Sequence, residues 1–199
     1  ISLSKLVSGD LTDEEMRLLM QARTTVNKFP LYIDQSSTTN LRDIKAKCLK
    51  LHREGHLDFI IIDYLQLLSS GENRLSRVEE VSKISRGLKE MARFFEIPVL
   101  ALSQLSRNIE TREDKRPVLA DLRESGSIEQ DADIVMFLHR DTPKKQEGED
   151  TTKVFRSAKT ELIVAKNRQG STGSVNLIFK GAQSVFASEG SIEKKNLGE

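Results

Sequence analysis

The sequence predicts an α/β fold whose mostly parallel sheet is closed by a C-terminal β-hairpin. Three observations lead there. Leu57-Asp58-Phe59-Ile60-Ile61-Ile62-Asp63 carries four apolar residues in a row into a carboxylate, as a strand buried on both faces of a parallel sheet does. Ile97-Pro98-Val99-Leu100-Ala101-Leu102 is a second such run, and a helix pattern with one apolar stripe separates the two, giving a strand–helix–strand unit. Glu161–Lys166 and Ser174–Phe179 flank a glycine-containing turn, which reads as a hairpin.

The composition narrows the function classes. With 199 residues the chain can bury a full core as one domain. It carries 31 basic and 30 acidic residues, a net charge of +1, so any nucleic-acid contact must come from a local patch or loop. Cys48 is the single cysteine, which excludes an internal disulfide and fits a reducing compartment. No apolar run approaches the ~18–20 residues that span a bilayer, and no signal-peptide pattern opens the chain. A cytoplasmic α/β domain without membrane contact is expected. Ile1–Leu6 begins mid-pattern with no initiator Met, and the polar residues 188–199 read as a tail, so the chain is expected to be a piece of something longer.

The elements are taken in chain order. Thr12 and Glu15 form a capping box for a helix carrying Met16, Leu19, Met20 and Val26. Pro30 breaks that pattern, Leu31-Tyr32-Ile33-Asp34 reads as a short strand, and Ser36–Asn40 as a polar turn ending in a cap. The next helix lines up Leu41, Ile44, Cys48, Leu49 and His52, with His52 read as a packed histidine, and Gly55 ends it. After the Asp63 strand, Ser76 and Glu79 form a second capping box. The helix behind it carries Val78, Val81, Ile84, Leu88, Met91, Ala92 and Phe95 on one stripe. Leu105–Pro117 reads as a helical turn and an exposed loop, Ile134–His139 as another buried strand, and Arg140–Lys159 as a charged excursion. Ser184–Ala187 adds a last short strand.

Four places carry candidate chemistry. A parallel crossover brings the ends of both strands to one sheet edge, so Asp63 and Gln104 are expected at the same crevice. Asp63 either orders the water shell of a magnesium ion beside nucleotide phosphates or simply caps the buried strand. Gln104 either senses a terminal phosphate through its amide or merely starts a loop. Ser125-Gly126-Ser127 either turns the backbone so that successive N–H groups hold a phosphate, with Arg123 adding a charge-assisted bond, or forms an ordinary capped loop. Lys166 and Arg168, two apart, are expected on one face of extended backbone. There they either meet a phosphate on a neighbouring molecule or stay solvated. The sequence has no internal repeat, no zinc-spaced Cys/His cluster and no defensible nucleophile–base triad.

Four segments together look like the C-terminal, RecA-like motor domain of the bacterial replicative DNA helicases, the DnaB family. They are Ile60–Leu67, Ala101–Arg107, Lys115–Pro117 and, most specifically, Asp121-Leu122-Arg123-Glu124-Ser125-Gly126-Ser127-Ile128-Glu129-Gln130-Asp131-Ala132-Asp133. The resemblance runs from about Ile1 to Phe186. It implies a RecA-like P-loop NTPase core over residues 1–187, a polar tail over 188–199, and use of ATP with magnesium (Mg2+). It implies that Asp63 is the Walker B carboxylate acting on magnesium through water and that Gln104 senses the γ-phosphate. Arg123, Glu124 and Gly126 would grip single-stranded DNA, and Lys166 and Arg168 would reach the nucleotide of the adjacent subunit, Arg168 as arginine finger. It also implies a homo-hexameric ring moving 5′ to 3′ at the replication fork, in a primosome with primase and a helicase loader.

The sequence departs from the family in holding no Gly-x-x-x-x-Gly-Lys-[Ser/Thr] loop, the element that cradles the phosphates. The first strand of the motor is expected to be missing with it, and this piece alone is not expected to hydrolyse ATP. Two rival readings remain open on sequence alone. One is another RecA-like ATPase, such as a recombinase or a clock-type hexamer. The other is a truncated, catalytically inactive module that binds a helicase or DNA.

Overall fold

The computed structural model describes residues 1–36, 40–72, 75–140 and 158–189, apart from the side chains of residues 123–125. The chain divides into two compact units. One holds Ile1–Leu31, Met136–Val164 and Ser171–Glu199, and the other holds Tyr32–Val135 and Ala165–Gly170.

In the first unit, helices α1 (Leu3–Ser8) and α2 (Asp13–Val26) start on side-chain caps. The Thr12–Glu15 capping box forms as the sequence predicts. Lys5 adds a 2.8 Å ion pair to Glu15; its hydrogen bond, then the Thr12 N–H, bring the Glu15 carboxyl down to about 2. The expected apolar stripe of α2 buries no residue: Met16, Met20 and Val26 are all exposed. Strands β4 (Ala158–Asn167), β5 (Gly173–Lys180) and β6 (Val185–Ser188) form successive antiparallel pairs, which bears out the hairpin. Phe179 and Phe186 sit opposite each other across β5 and β6 with ring centroids 4.8 Å apart. Strand β3 (Ile134–His139) completes the order β3-β4-β5-β6, and β3 and β4 each contribute residues to both units.

The second unit is built on α3 (Leu41–Arg53), β1 (Ile60–Ile62), α4 (Arg77–Phe95) and β2 (Val99–Ala101). β1 and β2 are parallel, in the register Ile60↔Val99, Ile61↔Leu100, Ile62↔Ala101. α4 buries Val81, Ile84, Leu88, Met91 and Phe95 of the predicted stripe, with Ala92 half-buried and Val78 in the first turn exposed, and Ile60, Ile62 and Cys48 join the same core. His52 lies beside the Phe95 ring, with centroids 5.2 Å apart, but the residue is exposed. The α4 capping box forms as read: Glu79 N–H donates to Ser76 Oγ (3.3 Å), and Ser76 N–H donates to the Glu79 carboxylate (2.8 Å). Ser76→Ala should therefore lower stability by about 1 kcal/mol, measurable as a reduced denaturation midpoint at unchanged m.

Several expectations need correction. The Asp63 strand is not buried on both faces: Ile60 and Ile62 are buried but Ile61 is 58% exposed, because α3 and α4 cover only one side. β3 likewise alternates, with Val135 and Phe137 buried and Ile134, Met136 and Leu138 exposed. The mixed α/β class holds, but parallel pairing is confined to β1 and β2 among the register-matched strands, and β4–β6 are antiparallel. Leu31–Asp34 is not a strand; its backbone finds no ladder partner among the described residues, and Leu31, Tyr32 and Ile33 stay exposed. The charged excursion is shorter than read, since β4 already starts at Ala158; residues 141–157 lie outside the described ones, as do 37–39 of the predicted polar turn and 190–199 of the tail.

Candidate functional site

All the candidate residues, Asp63, Gln104, Arg123, Glu124, Gly126, Lys166 and Arg168, belong to the second unit. The parallel register carries two of them to one edge. Asp63 follows Ile62, whose partner Ala101 lies three residues before Gln104. The ladder continues past the strands: Leu102 N–H donates to Ile62 O (2.9 Å), and Leu65 N–H donates to Leu102 O (2.9 Å). Asp63 and Gln104 are both exposed, and neither side chain has a hydrogen-bond or ionic partner among the described residues. The Asp63–Tyr64 peptide is cis.

Gln66 and Asp121, to which the sequence reading gave no role, hold this edge. The Gln66 amide bonds the Gln104 main chain, and Gln66, Arg77, Ser103, Gln104, Ser106 and Asp121 line one hollow. Asp121 is buried, and its Oδ2 accepts from Val118 N–H (2.8 Å) and from Arg112 (3.0 Å). Its carbonyl accepts from Ser106 N–H (3.0 Å), two residues past Gln104. A polar residue amid Leu65, Leu67 and Leu68 was the one available signal for Gln66, because such residues need a partner when they fold inward.

The Ser125-Gly126-Ser127 turn is corrected. Leu119–Ser125 is a 3-10 helix that leads directly into α5 (Gly126–Asp131), and Gly126 has φ −50 and ψ −23, helical values. Successive N–H groups there point along a helix rather than outward. The side chains of Arg123 and Glu124 lie outside the described ones, and Gly126 is exposed.

Lys166 and Arg168 do share a face, and the far end of α5 receives both. Lys166 Nζ donates to Glu129 O (2.5 Å), and Arg168 donates to Gln130 O (2.7 Å) and pairs with Asp133 (3.2 Å). Cations there meet the carbonyl end of the helix, where charge and hydrogen bonding favour them. Asp133 also pairs with Lys89 of α4. The Lys89 hydrogen bond first, and the nearby charge of Arg168 with it, hold the Asp133 carboxyl below its ordinary value.

The chain matches the family described as "DnaB-like helicase C terminal domain" over residues 1–188. It belongs to that family. DnaB-like relatives include the replicative DNA helicase DnaB of Geobacillus stearothermophilus, 47% identical over 180 residues that make up 90% of this chain and 38% of that protein. The replicative DNA helicase DnaC of Bacillus subtilis (strain 168) is 46% identical over the same share of each. This chain thus spans about two-fifths of the length of these curated relatives. Among solved structures, one described as an ATPase domain superposes with a TM-score of 0.83 at 38% identity, covering 94% of this chain and 66% of that one. A DnaB-like replicative helicase, described with its interactions with primase, superposes with a TM-score of 0.82 at 38% identity, covering 94% and 44%. These neighbours establish the RecA-like α/β class.

Proposed function

We propose that this chain is part of the motor of an ATP-driven replicative DNA helicase, with residues 1–187 belonging to one motor domain. The observation that carries the proposal is the pairing of Asp63 and Gln104 at one strand edge with both side chains unengaged among the described residues. Asp63 suits magnesium, which keeps most of its waters and takes one or two carboxylates beside nucleotide phosphates. An exposed carboxylate with no cation of its own to displace fits that demand, and the ion would neutralise phosphate charge there. Gln104 then faces the terminal phosphate. Lys166 and Arg168 serve the nucleotide of the adjacent subunit in a ring of six, and Arg123, Glu124 and Gly126 hold the backbone of single-stranded DNA. ATP state at each subunit interface sets the position of each DNA loop, so the ring moves 5′ to 3′ at a cytoplasmic replication fork. Primase and a loader are its partners there.

The test is ATP hydrolysis and fork unwinding by the full-length protein. Hydrolysis stimulated by single-stranded DNA, with unwinding, is the expected result. DNA binding without turnover would make it an inactive binding module, and strand exchange without unwinding a recombinase. Arg123→Ala should weaken binding on all sequences alike and reduce the salt slope by about 1. An unchanged slope would remove Arg123 from the DNA contact.

A further inference from the structure

The side chain of Gln66 bonds the main chain of Gln104 in both directions. Its Nε2 donates to Gln104 O (3.2 Å) and to Ser103 Oγ (3.1 Å), and its Oε1 accepts from Gln104 N–H (3.2 Å). A primary amide presents a donor and an acceptor side by side, so it can satisfy the N–H and C=O of one residue together. Gln66 is itself fixed. It lies in the 3-10 turn Leu65–Leu67, and its carbonyl accepts from Arg77 at the start of α4 (2.7 Å). Leu65, its neighbour, donates to Leu102 O (2.9 Å), which ties the turn after β1 to the end of β2. The Gln104 backbone is therefore anchored from the Asp63 side of the edge, while the Gln104 side chain has no partner among the described residues.

We infer that Gln66 is a positioning residue for Gln104: it sets where the Gln104 amide stands relative to Asp63, and so how it meets a terminal phosphate. The inference rests on reading Gln104 as the phosphate sensor. A misplacement of about 1 Å at such a group costs roughly 100-fold in rate, which sets the scale of the effect.

The experiment measures DNA-stimulated ATP hydrolysis by the full-length protein carrying Gln66→Met, Gln66→Glu, Gln104→Ala, or Gln66→Met with Gln104→Ala. Gln66→Met keeps the length and removes the amide; kcat should fall roughly 10- to 100-fold with KM for ATP little changed. Gln66→Glu retains the acceptor but sets a carboxylate against Gln104 O, and should not rescue. In the Gln104→Ala background, Gln66→Met should add nothing further. Hydrogen exchange should show the Gln104 N–H losing protection in Gln66→Met while the α4 amides keep theirs. Additive losses in the double variant, or a fall in kcat that tracks loss of α4 protection, would make Gln66 a general structural support and overturn the inference. So would an unchanged kcat in Gln66→Met beside a defective Gln104→Ala. An unchanged kcat in Gln104→Ala would overturn the sensor reading itself, leaving Gln66 nothing to position.

Discussion

Arg168→Ala is expected to reduce DNA-stimulated ATP hydrolysis by the full-length protein by about 10³-fold or more, the scale on which an arginine that meets transition-state charge acts. The guanidinium is held at two points by its own chain, by Gln130 O at 2.7 Å and Asp133 at 3.2 Å. A planar fork so held has a fixed orientation, and Arg168→Lys cannot reproduce it, because an ammonium offers a point charge instead. Subunit mixing separates action on a neighbour from action within the chain. Doping Arg168→Ala subunits into wild-type rings should depress activity more than in proportion to their share; proportional loss would place the arginine's effect within its own subunit, and intact hydrolysis would remove the role. The contact that orients Arg168 also has a pH sense. The Asp133 carboxyl is depressed from 3.8, by Lys89 first, so its ion pairs contribute fully above that value and are lost as pH falls through the lower folded value.

Local signals carried most of what the sequence revealed. The α4 stripe from Val81 to Phe95 and its Ser76–Glu79 box, and the β4–β5 hairpin, depend on residues close in sequence, and they formed as read, with only Val78 of the stripe left exposed. The placing of Asp63 and Gln104 at one sheet edge was legible because a parallel crossover permits only one arrangement of strand ends. What failed depended on distant partners. Ile61 has strand-core chemistry, yet whether its face is covered is decided elsewhere in the fold. Leu31–Asp34 has strand composition but no ladder to join among the described residues. Gly126 suggested a turn because glycine permits one, while the helical path is drawn by packing of α5 on α4, where Ser85 donates to Asp131 (2.8 Å) and Ser127 bonds Ser82 (2.9 Å). The Gln66–Gln104 bond joins residues 38 apart, and no periodicity encodes it.

Asp121→Ala is expected to lower stability by about 2–4 kcal/mol, seen as a reduced denaturation midpoint, because one buried carboxylate satisfies several groups at once. Removing it strands the Val118 N–H and leaves Arg112, whose Nε already lies buried without a partner among the described residues, without its carboxylate. Arg112 remains part-exposed, so the cost falls short of a fully buried pair. Asp121→Asn keeps an acceptor and should lose only about 1–2 kcal/mol. The loss has a direction as well as a size. Asp121 receives Ser106, just past Gln104, and stands two residues before Arg123, so it lies between the proposed phosphate-facing edge and the proposed DNA loop and is placed to act as a strut between them. Under conditions where Asp121→Asn remains fully folded, single-stranded DNA should therefore stimulate its ATP hydrolysis less than it does the wild type's, while basal hydrolysis is kept. Equal stimulation would mean that the two sites communicate by some route other than this strut, since a bond that transmits nothing when weakened is only packing.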